Sequence, residues 1–207
     1  IFIPITVGGG LRSIEDIKDI LRTGADKVSI NTAAIERPEL IREASLSFGS
    51  STIVSSVECI KHEDNNYYAY SDNGREFSGK NVFEWVEELE YLGAGEINIC
   101  SVDKEGTRSG YDIELIKKIN DLVSIPVIAH GGAGKLNHIS DLILNTGVDA
   151  VSFSSITHYD FIKKNVIDIT SLKEGNNEYL KNNNKIKFET FSVEEIKNHL
   201  YNKGIKC

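Results

Sequence analysis

Short apolar runs rich in β-branched residues alternate along the chain with amphipathic segments. The runs predict six strands, at residues 4–7, 27–30, 52–57, 96–100, 126–129 and 150–153. Apolar residues between them recur at the spacing of one helix face, which predicts helices over residues 13–21, 81–92, 112–122, 137–144 and 192–203. Strands that alternate with helices in this way are typical of a parallel sheet covered by helices. The sequence therefore predicts an α/β fold.

Two similar segments indicate an internal repeat. Residues 3–30 align, with a one-residue shift, with residues 125–153, and both segments contain the motif Thr-Gly-x-Asp-x-Val-Ser. A repeated βαβ unit favours a barrel built of two half-barrels. If the two copies lie opposite each other, the six strands are the third to eighth of a (β/α)8 TIM barrel. The first two β/α units would then be absent from the sequence.

The sequence predicts one partial TIM-barrel domain over residues 1–207. The chain contains no methionine and begins inside a predicted strand, as we expect of a chain that lacks its N-terminal part. Residues 160–190 are rich in Asn and Lys and depart from the pattern, so they predict an insertion or surface excursion. Residues 61–79 carry a tyrosine-rich run followed by Asp-Asn-Gly and predict a β-hairpin. We expect its tyrosines to pack across the strands rather than to contact a ligand.

Composition narrows the possible functions. The 23 Lys and Arg against 31 Asp and Glu give a net charge of −8, which argues against a nucleic-acid partner. No apolar run approaches the roughly 20 residues of a membrane span, and no secretion signal opens the chain, so we expect a cytoplasmic protein with no membrane partner. Cys59, Cys100 and Cys207 lie far apart, and the histidines lack ligand spacing. The sequence therefore predicts neither a metal site nor a cofactor.

Two repeat-related sites have the features of phosphate binding. In such barrels, ligands bind at the carboxyl ends of the strands. Glycines there let backbone N–H groups approach a phosphate, and residues after the next strand can supply hydroxyl or amide donors. Such glycines can also serve only as turns, but their duplication favours a substrate with two phosphates. The candidates are Gly9, Gly10, Asn31 and Thr32 at one site, and Gly131, Gly132, Ser154 and Ser155 at the other.

Three acidic residues are candidates for acid–base catalysis. Glu58 follows an apolar strand, and Asp103 and Glu105 follow the next predicted strand. Carboxylates at a barrel mouth can accept and return protons when they are partly desolvated. His130 follows another predicted strand and is compatible with an acid–base residue, a phosphate donor or a capped turn. The sequence alone leaves these three roles open.

Five motifs carry a resemblance to a known family. They are VGGG at residues 7–10, GADKVSINTAA at 24–34, GAGE at 93–96, DKEGTRSGYD at 103–112 and IAHGGAG at 128–134. Together they resemble the cyclase subunit of imidazole glycerol phosphate synthase, from residue 3 to about residue 158 and again at the last helix. The resemblance implies a two-half TIM barrel and a bisphosphorylated substrate, phosphoribulosyl-formimino-aminoimidazole-carboxamide ribonucleotide. It also implies a heterodimer with a glutaminase, whose ammonia crosses the barrel to cleave and cyclise this substrate in histidine biosynthesis.

The resemblance also assigns expected roles to individual residues. Gly10, Asn31 and Thr32 would hold one phosphate, whereas Glu105, Gly106, Gly132 and Ser155 would hold the glycerol-phosphate end. Lys27 and Glu96 match two members of the charged gate that admits ammonia, and Asp26 matches a position facing the glutaminase.

Some residues depart from the family pattern. Glu58 stands where the family has its second catalytic aspartate, Ile60 replaces a lysine, and His130 replaces a small residue. Glutamate places its carboxylate one methylene farther out than aspartate, and such a displacement can greatly lower the rate of the catalysed reaction. Three readings therefore stay open: the histidine-pathway cyclase, which we favour, a relative that channels ammonia for amidation of surface-polysaccharide sugars, and a non-catalytic scaffold that activates a glutaminase.

Overall fold

A computed structural model describes residues 3–164 and 188–207 of the chain. Its strands are β1 (Thr6–Gly8), β2 (Lys27–Ile30), β3 (Ile53–Lys61), β4 (Tyr67–Ser71), β5 (Glu76–Asn81), β6 (Glu96–Ser101), β7 (Val127–His130) and β8 (Ala150–Ser152). Six of them form a parallel sheet in the order β1-β2-β3-β6-β7-β8. The predicted strands thus all form, within a few residues of their predicted ends.

Helices connect the parallel strands. They are α1 (Ile14–Arg22), α2 (Thr32–Glu36), α3 (Glu39–Phe48), α4 (Val82–Leu92), α5 (Ile113–Leu122), α6 (Leu136–Thr146), α7 (Ser155–Lys164) and α8 (Val193–Asn202). Ser13 and Ser192 begin α1 and α8 with capping boxes, in which the serine side chain accepts a backbone N–H of the first turn. No helix in the described part of the chain is long and apolar enough to cross a membrane.

The hydrophobic core lies between the sheet and the helices. Ile53 and Val57 of β3 and Ile97 and Ile99 of β6 have no solvent-accessible surface. They pack in one cluster with the apolar faces of the helices, including Trp85 of α4. This alternation of buried parallel strands and covering helices is a TIM-type α/β fold. Among the described residues, no ladder joins β1 to β8, and the two absent β/α units stay a prediction.

The predicted hairpin forms as β4 and β5. It extends the sheet through β4, which pairs antiparallel with the last residues of β3. Tyr68 and Tyr70 of β4 pack on Phe77 of β5, with ring centroids 5.5 and 5.6 Å apart. The expectation of cross-strand tyrosine packing is therefore confirmed. The hairpin turn, residues 72–75, lies beyond the carboxyl ends of the parallel strands.

Three helices, α2, α3 and α7, were not predicted from sequence. The first is a single short turn, and the apolar positions of α3 are interrupted by serines, so neither gives a clear periodicity. Residues 160–164 of the predicted excursion belong to α7, where Asp160 and Ile162 are buried. Residues 165–187 of that excursion lie outside the described residues.

We predict that two leucines of α6 differ sharply in their contribution to stability. Leu142 is fully buried, whereas Leu144 is 61% exposed. Leu142→Ala leaves a cavity and should lower the free energy of unfolding by about 2–5 kcal/mol. Leu144→Ala is the matched control and should change it by less than about 0.5 kcal/mol. Urea denaturation of both variants checks this, and equal losses would contradict the assigned packing of α6.

Candidate functional site

Three adjoining cavities lie at the carboxyl edge of the sheet. Their volumes are about 440, 310 and 190 Å³, and we call them the first, middle and second cavity. Ser56, Glu58 and Asn73 line both the first and the middle cavity. Glu105 and His130 line both the middle and the second cavity. Because neighbouring cavities share walls, they form one continuous groove.

The first cavity contains all four residues of the first predicted phosphate site. Gly9 and Gly10 follow β1 with φ of 107° and 71°, a left-handed conformation that favours glycine. Asn31 precedes α2 and donates from Nδ2 to the carbonyl of Tyr70 at 3.3 Å, while its buried Oδ1 has no partner among the described residues. Thr32 Oγ1 accepts the N–H of Asp72 at 3.3 Å. The hairpin turn thus forms one wall of this site.

The second cavity contains the second predicted phosphate site. Gly131 and Gly132 follow β7, and a Cβ at Gly132 would stand 2.2 Å from the carbonyl oxygen of Gly110. Only glycine fits this close approach, which a hydrogen bond from Gly110 N–H to the Gly132 carbonyl maintains at 2.8 Å. Ser154 and Ser155 line the same cavity at the start of α7, where the helix dipole is positive. Gly106 and Glu105 complete the wall on the side of β6.

Glu58 lies between these two sites. Its Oε2 accepts the N–H of Gly74, in the hairpin turn, at 2.8 Å. Burial raises the pKa of the Glu58 carboxyl above its usual value, and the nearby carboxylates of Glu105 and Asp72 raise it further, against the opposing hydrogen bonds from Gly74 and Asn31. A carboxyl that holds its proton more tightly is better matched to acid–base work near neutral pH. Glu58 therefore places a carboxyl with a raised pKa in the groove, and its catalytic role stays a prediction.

Asp103 lies elsewhere. Its Oδ2 accepts the backbone N–H of Lys61 at 2.8 Å, and its side chain is exposed. It does not belong to the described residues that line the three cavities. The contact ties the loop after β6 to the end of β3, and a catalytic role for Asp103 stays a prediction.

A row of register partners crosses the sheet at the base of the groove. Glu58 pairs with Cys100, Cys100 with His130, and His130 with Ser152. The Cys100 thiol donates to Glu105 Oε2 at 3.2 Å, and burial raises its pKa. His130 Nε2 lies 3.3 Å from Glu105 Oε1, and His130 Nδ1 lies 3.0 Å from Ser152 Oγ. A thiol, a carboxylate and an imidazole thus converge in the middle of the groove.

The opposite, amino edge of the sheet carries an ion pair. Lys27 at the start of β2 pairs with Glu96 at the start of β6, although β3 separates the two strands. Asp26 is exposed beside them, and its Oδ2 accepts the N–H of Ile5 at 2.8 Å. The structure therefore pairs Lys27 with Glu96, the two residues predicted for the gate, and exposes Asp26, the residue predicted to face a glutaminase; these roles stay predictions.

Several groove residues were missed by sequence reasoning. They include Arg12, Glu36, Ser56, Asp72, Asn73, Asn98, Cys100 and Ser152. The Asp-Asn-Gly turn of the hairpin was recognisable, but its position over the groove depends on the pairing of β3 with β4. Cys100 and Ser152 become recognisable only when the register of the parallel strands is known.

The fold and the groove define a TIM-type α/β protein with its candidate ligand site at the carboxyl edge of the sheet. The chain belongs to the family described as histidine biosynthesis protein, which matches residues 1–163. It is also similar to the imidazole glycerol phosphate synthase subunit HisF of Lactococcus lactis subsp. lactis (strain IL1403), with 48% identity over 158 residues. That alignment covers 76% of this chain and 61% of the relative, so the chain matches less than two thirds of the relative's length.

We predict that Glu58→Gln stabilises the protein at neutral pH. Because the folded state raises the pKa of this carboxyl, its ionised form costs stability above the unfolded pKa, and the cost disappears as the pH falls below that value. Glutamine removes the charge and can still accept the Gly74 N–H. The melting temperature should therefore rise at about pH 7, and the gain should shrink toward about pH 4.

Glu76→Gln, which removes an exposed carboxylate of the same hairpin, is the control for the lower net charge. Thermal unfolding of both variants at the two pH values measures the difference. An equal gain in both variants, or a gain independent of pH, would show that burial of Glu58 is not its cause.

Proposed function

We propose that this protein is the cyclase subunit of an imidazole glycerol phosphate synthase. In this role it uses ammonia from a partner glutaminase to cleave and cyclise the bisphosphorylated ribulosyl-formimino substrate. The observation that supports this best is the continuous groove, with a glycine-framed site at each end and Glu58 between them. Membership of the histidine biosynthesis family and similarity to a HisF subunit support the same assignment.

The two ends of the groove suit phosphates held mainly by backbone amides and hydroxyls. Of the described residues that line the three cavities, Arg12 is the one Arg or Lys. The left-handed glycines of the first cavity expose backbone N–H groups beside the Thr32 hydroxyl. In the second cavity, the start of α7 adds the Ser155 hydroxyl and helix amides. A substrate with a phosphate at each end would then have its reacting bonds in the middle cavity.

Glu58 is the group that we assign to proton transfer. It lines the middle cavity and has a raised pKa, so it can give a proton to a leaving nitrogen and take one from the attacking ammonia. Glu105, on the other side of the same cavity, can contact the substrate between Glu58 and the second phosphate.

In this proposal, ammonia enters at the amino edge of the sheet, where the partner glutaminase binds. The Lys27–Glu96 ion pair lies at the amino ends of β2 and β6, where it can act as a gate that opens when the two side chains separate. The exposed Asp26 carboxylate beside it would face the glutaminase. We therefore place the partner subunit against the amino edge, on the side away from the groove.

One observation favours a second candidate function. Glu58 stands where the resembling family has an aspartate, so the reaction could have changed while the ammonia path was kept. The chain would then supply ammonia for amidation of a surface-polysaccharide sugar, or activate its glutaminase without a reaction of its own. Both alternatives need the amino-edge ion pair, but neither needs both phosphate sites.

We predict that Thr32 and Ser155 contribute independently to binding of the bisphosphorylated substrate. Thr32→Val and Ser155→Ala each remove one hydroxyl donor, so each should weaken binding about tenfold. The double variant should weaken it about a hundredfold, because the two residues lie in different cavities and their effects add. Calorimetric titration of the full-length protein measures this.

Thr23→Val is the control for this titration, because Thr23 ends α1 with its hydroxyl on the Ile20 carbonyl, away from the groove. Its affinity should equal that of the unmodified protein. No binding by the unmodified protein, or an effect of only one of the two substitutions, would contradict a ligand that spans the groove.

We further predict ammonia-dependent turnover of this substrate that requires the Glu58 carboxyl. Glu58→Gln should lower kcat by about 10²–10⁴-fold, since general acid–base catalysis contributes that much. Glu58→Asp keeps the carboxyl and should retain measurable turnover, while Glu76→Gln should react like the unmodified protein. The assay follows formation of imidazole glycerol phosphate with ammonium salts as the nitrogen source. Absence of turnover in both the unmodified protein and Glu58→Asp would favour the ammonia-channelling alternative.

A further inference from the structure

The middle of the groove contains three side chains of the kinds that bind transition metals. Cys100 and His130 are register partners on β6 and β7, and Glu105 lies in the loop that follows β6. One ligand atom from each residue lies within 4.8 Å of the other two. The thiol is 3.2 Å from one carboxylate oxygen, and imidazole Nε2 is 3.3 Å from the other.

The two distances to the Glu105 carboxylate are close to those between the ligand atoms of a single small metal ion. Zinc binds thiolate, imidazole and carboxylate at about 2.0–2.3 Å, so donor atoms around a tetrahedral zinc stand about 3.3–3.6 Å apart. The two contacts are made to different oxygens of Glu105, so the thiol, one carboxylate oxygen and the imidazole, which lie within 4.8 Å of one another, must draw together to share one ion. The Cys100 thiol and the His130 ring each form a hydrogen bond with the Glu105 carboxylate across these separations.

The surroundings of His130 favour coordination through Nε2. The other ring nitrogen, Nδ1, lies 3.0 Å from Ser152 Oγ. With a metal on Nε2, the Nδ1–H would donate to Ser152 Oγ, and such a partner holds the ring orientation of a metal-binding histidine. Three protein ligands also leave one position of a tetrahedral ion open, as in catalytic zinc sites. Cys100, Glu105 and His130 all line the middle cavity together with Glu58, so a ligand in that position would lie in the groove.

The charge of the groove gives an independent reason to expect a cation. Its described lining residues include four carboxylates, those of Glu36, Glu58, Asp72 and Glu105, and one guanidinium, that of Arg12. This excess of carboxylates would repel an anionic ligand wherever no backbone amides face the ligand. A divalent ion beside Glu105 would supply two positive charges midway between the two ends of the groove.

We propose that Cys100, Glu105 and His130 bind a divalent transition metal of the zinc class, with its open position toward the groove. This site goes beyond the proposed cyclase function, which assigns no metal. The open position suits water or an oxygen atom of a groove ligand. Ser152 is a positioning residue that orients the His130 ring.

Cobalt is the probe that tests the site, because a cobalt–thiolate bond gives an intense near-ultraviolet charge-transfer absorption. Metal-free full-length protein should bind one equivalent of Co²⁺ with this absorption, and Zn²⁺ should displace it. Cys100→Ser should abolish the absorption, and both Cys100→Ser and His130→Gln should weaken Co²⁺ binding by at least about 100-fold. Ser152→Ala should weaken binding about tenfold, and Ser152→Thr, which keeps the hydroxyl, should restore it.

Cys207→Ser and His158→Gln are the matched controls, because both residues are exposed and outside the groove. They should bind Co²⁺ like the unmodified protein, and circular dichroism should show that every variant is folded. No bound cobalt, no charge-transfer absorption, or loss of that absorption in Cys207→Ser would overturn the proposal. If Cys100→Ser does not fold, Ser152→Ala and Ser152→Thr provide the test. Unchanged Co²⁺ affinity in Ser152→Ala would then overturn the proposal.

The test of the metal site can fail or succeed independently of the test of the proposed function. Cobalt absorption is measured without substrate, whereas the effect of Thr32→Val on substrate affinity is measured at the far end of the groove. A protein that binds no cobalt but shows the Thr32 effect retains the cyclase assignment and lacks the metal site.

Discussion

The register of the parallel ladders is the constraint on which the candidate site depends. Backbone hydrogen bonds hold Glu58, Cys100, His130 and Ser152 in one row across four neighbouring strands. Side chains alternate between the faces of a strand, so a shift of one residue in any ladder would move part of this row to the helix-covered face. The buried isoleucines of β6, on the alternate positions, oppose such a shift because they would have to leave the core. Apolar packing on one face of the sheet therefore holds the polar side chains of this row in place on the other face.

The hairpin adds a second constraint to the same groove. Its turn supplies the Gly74 N–H to Glu58 and the Asp72 N–H to Thr32, so one short segment contacts both the proposed catalytic carboxyl and a proposed phosphate donor. The aromatic packing of Tyr68 and Tyr70 on Phe77 stabilises the hairpin without using the groove. Movement of this turn would change the solvation of Glu58, and with it the pKa of the carboxyl.

Much of this arrangement was predictable from sequence, because it depends on features of short segments of the chain. Periodicity located the parallel strands, and the repeated glycines identified both ends of the groove, because a glycine after a strand and a serine or threonine after the next one are features of short segments.

Asp103 and Glu105 looked equivalent as acids two residues apart, but only Glu105 lines the groove. The convergence of Cys100 with His130 was not predictable from spacing, since 30 positions separate them and only the β6–β7 ladder brings them together. The sequence prediction of no metal site rested on spacing along the chain, which does not show side chains that different strands bring together.

The interior face of β6 connects the two edges of the sheet. Glu96, Asn98 and Cys100 alternate along this strand and therefore share one face, which runs from the amino-edge ion pair to the groove. Asn98 Nδ2 donates to Ser56 Oγ at 3.2 Å, but its Oδ1 is buried with no partner among the residues that the structure describes. A buried polar atom without a partner costs stability, so packing alone does not explain the placement of Asn98. Under the proposed function, ammonia that enters at the Lys27–Glu96 pair would follow this face to the middle cavity and would donate a hydrogen bond to the Asn98 oxygen.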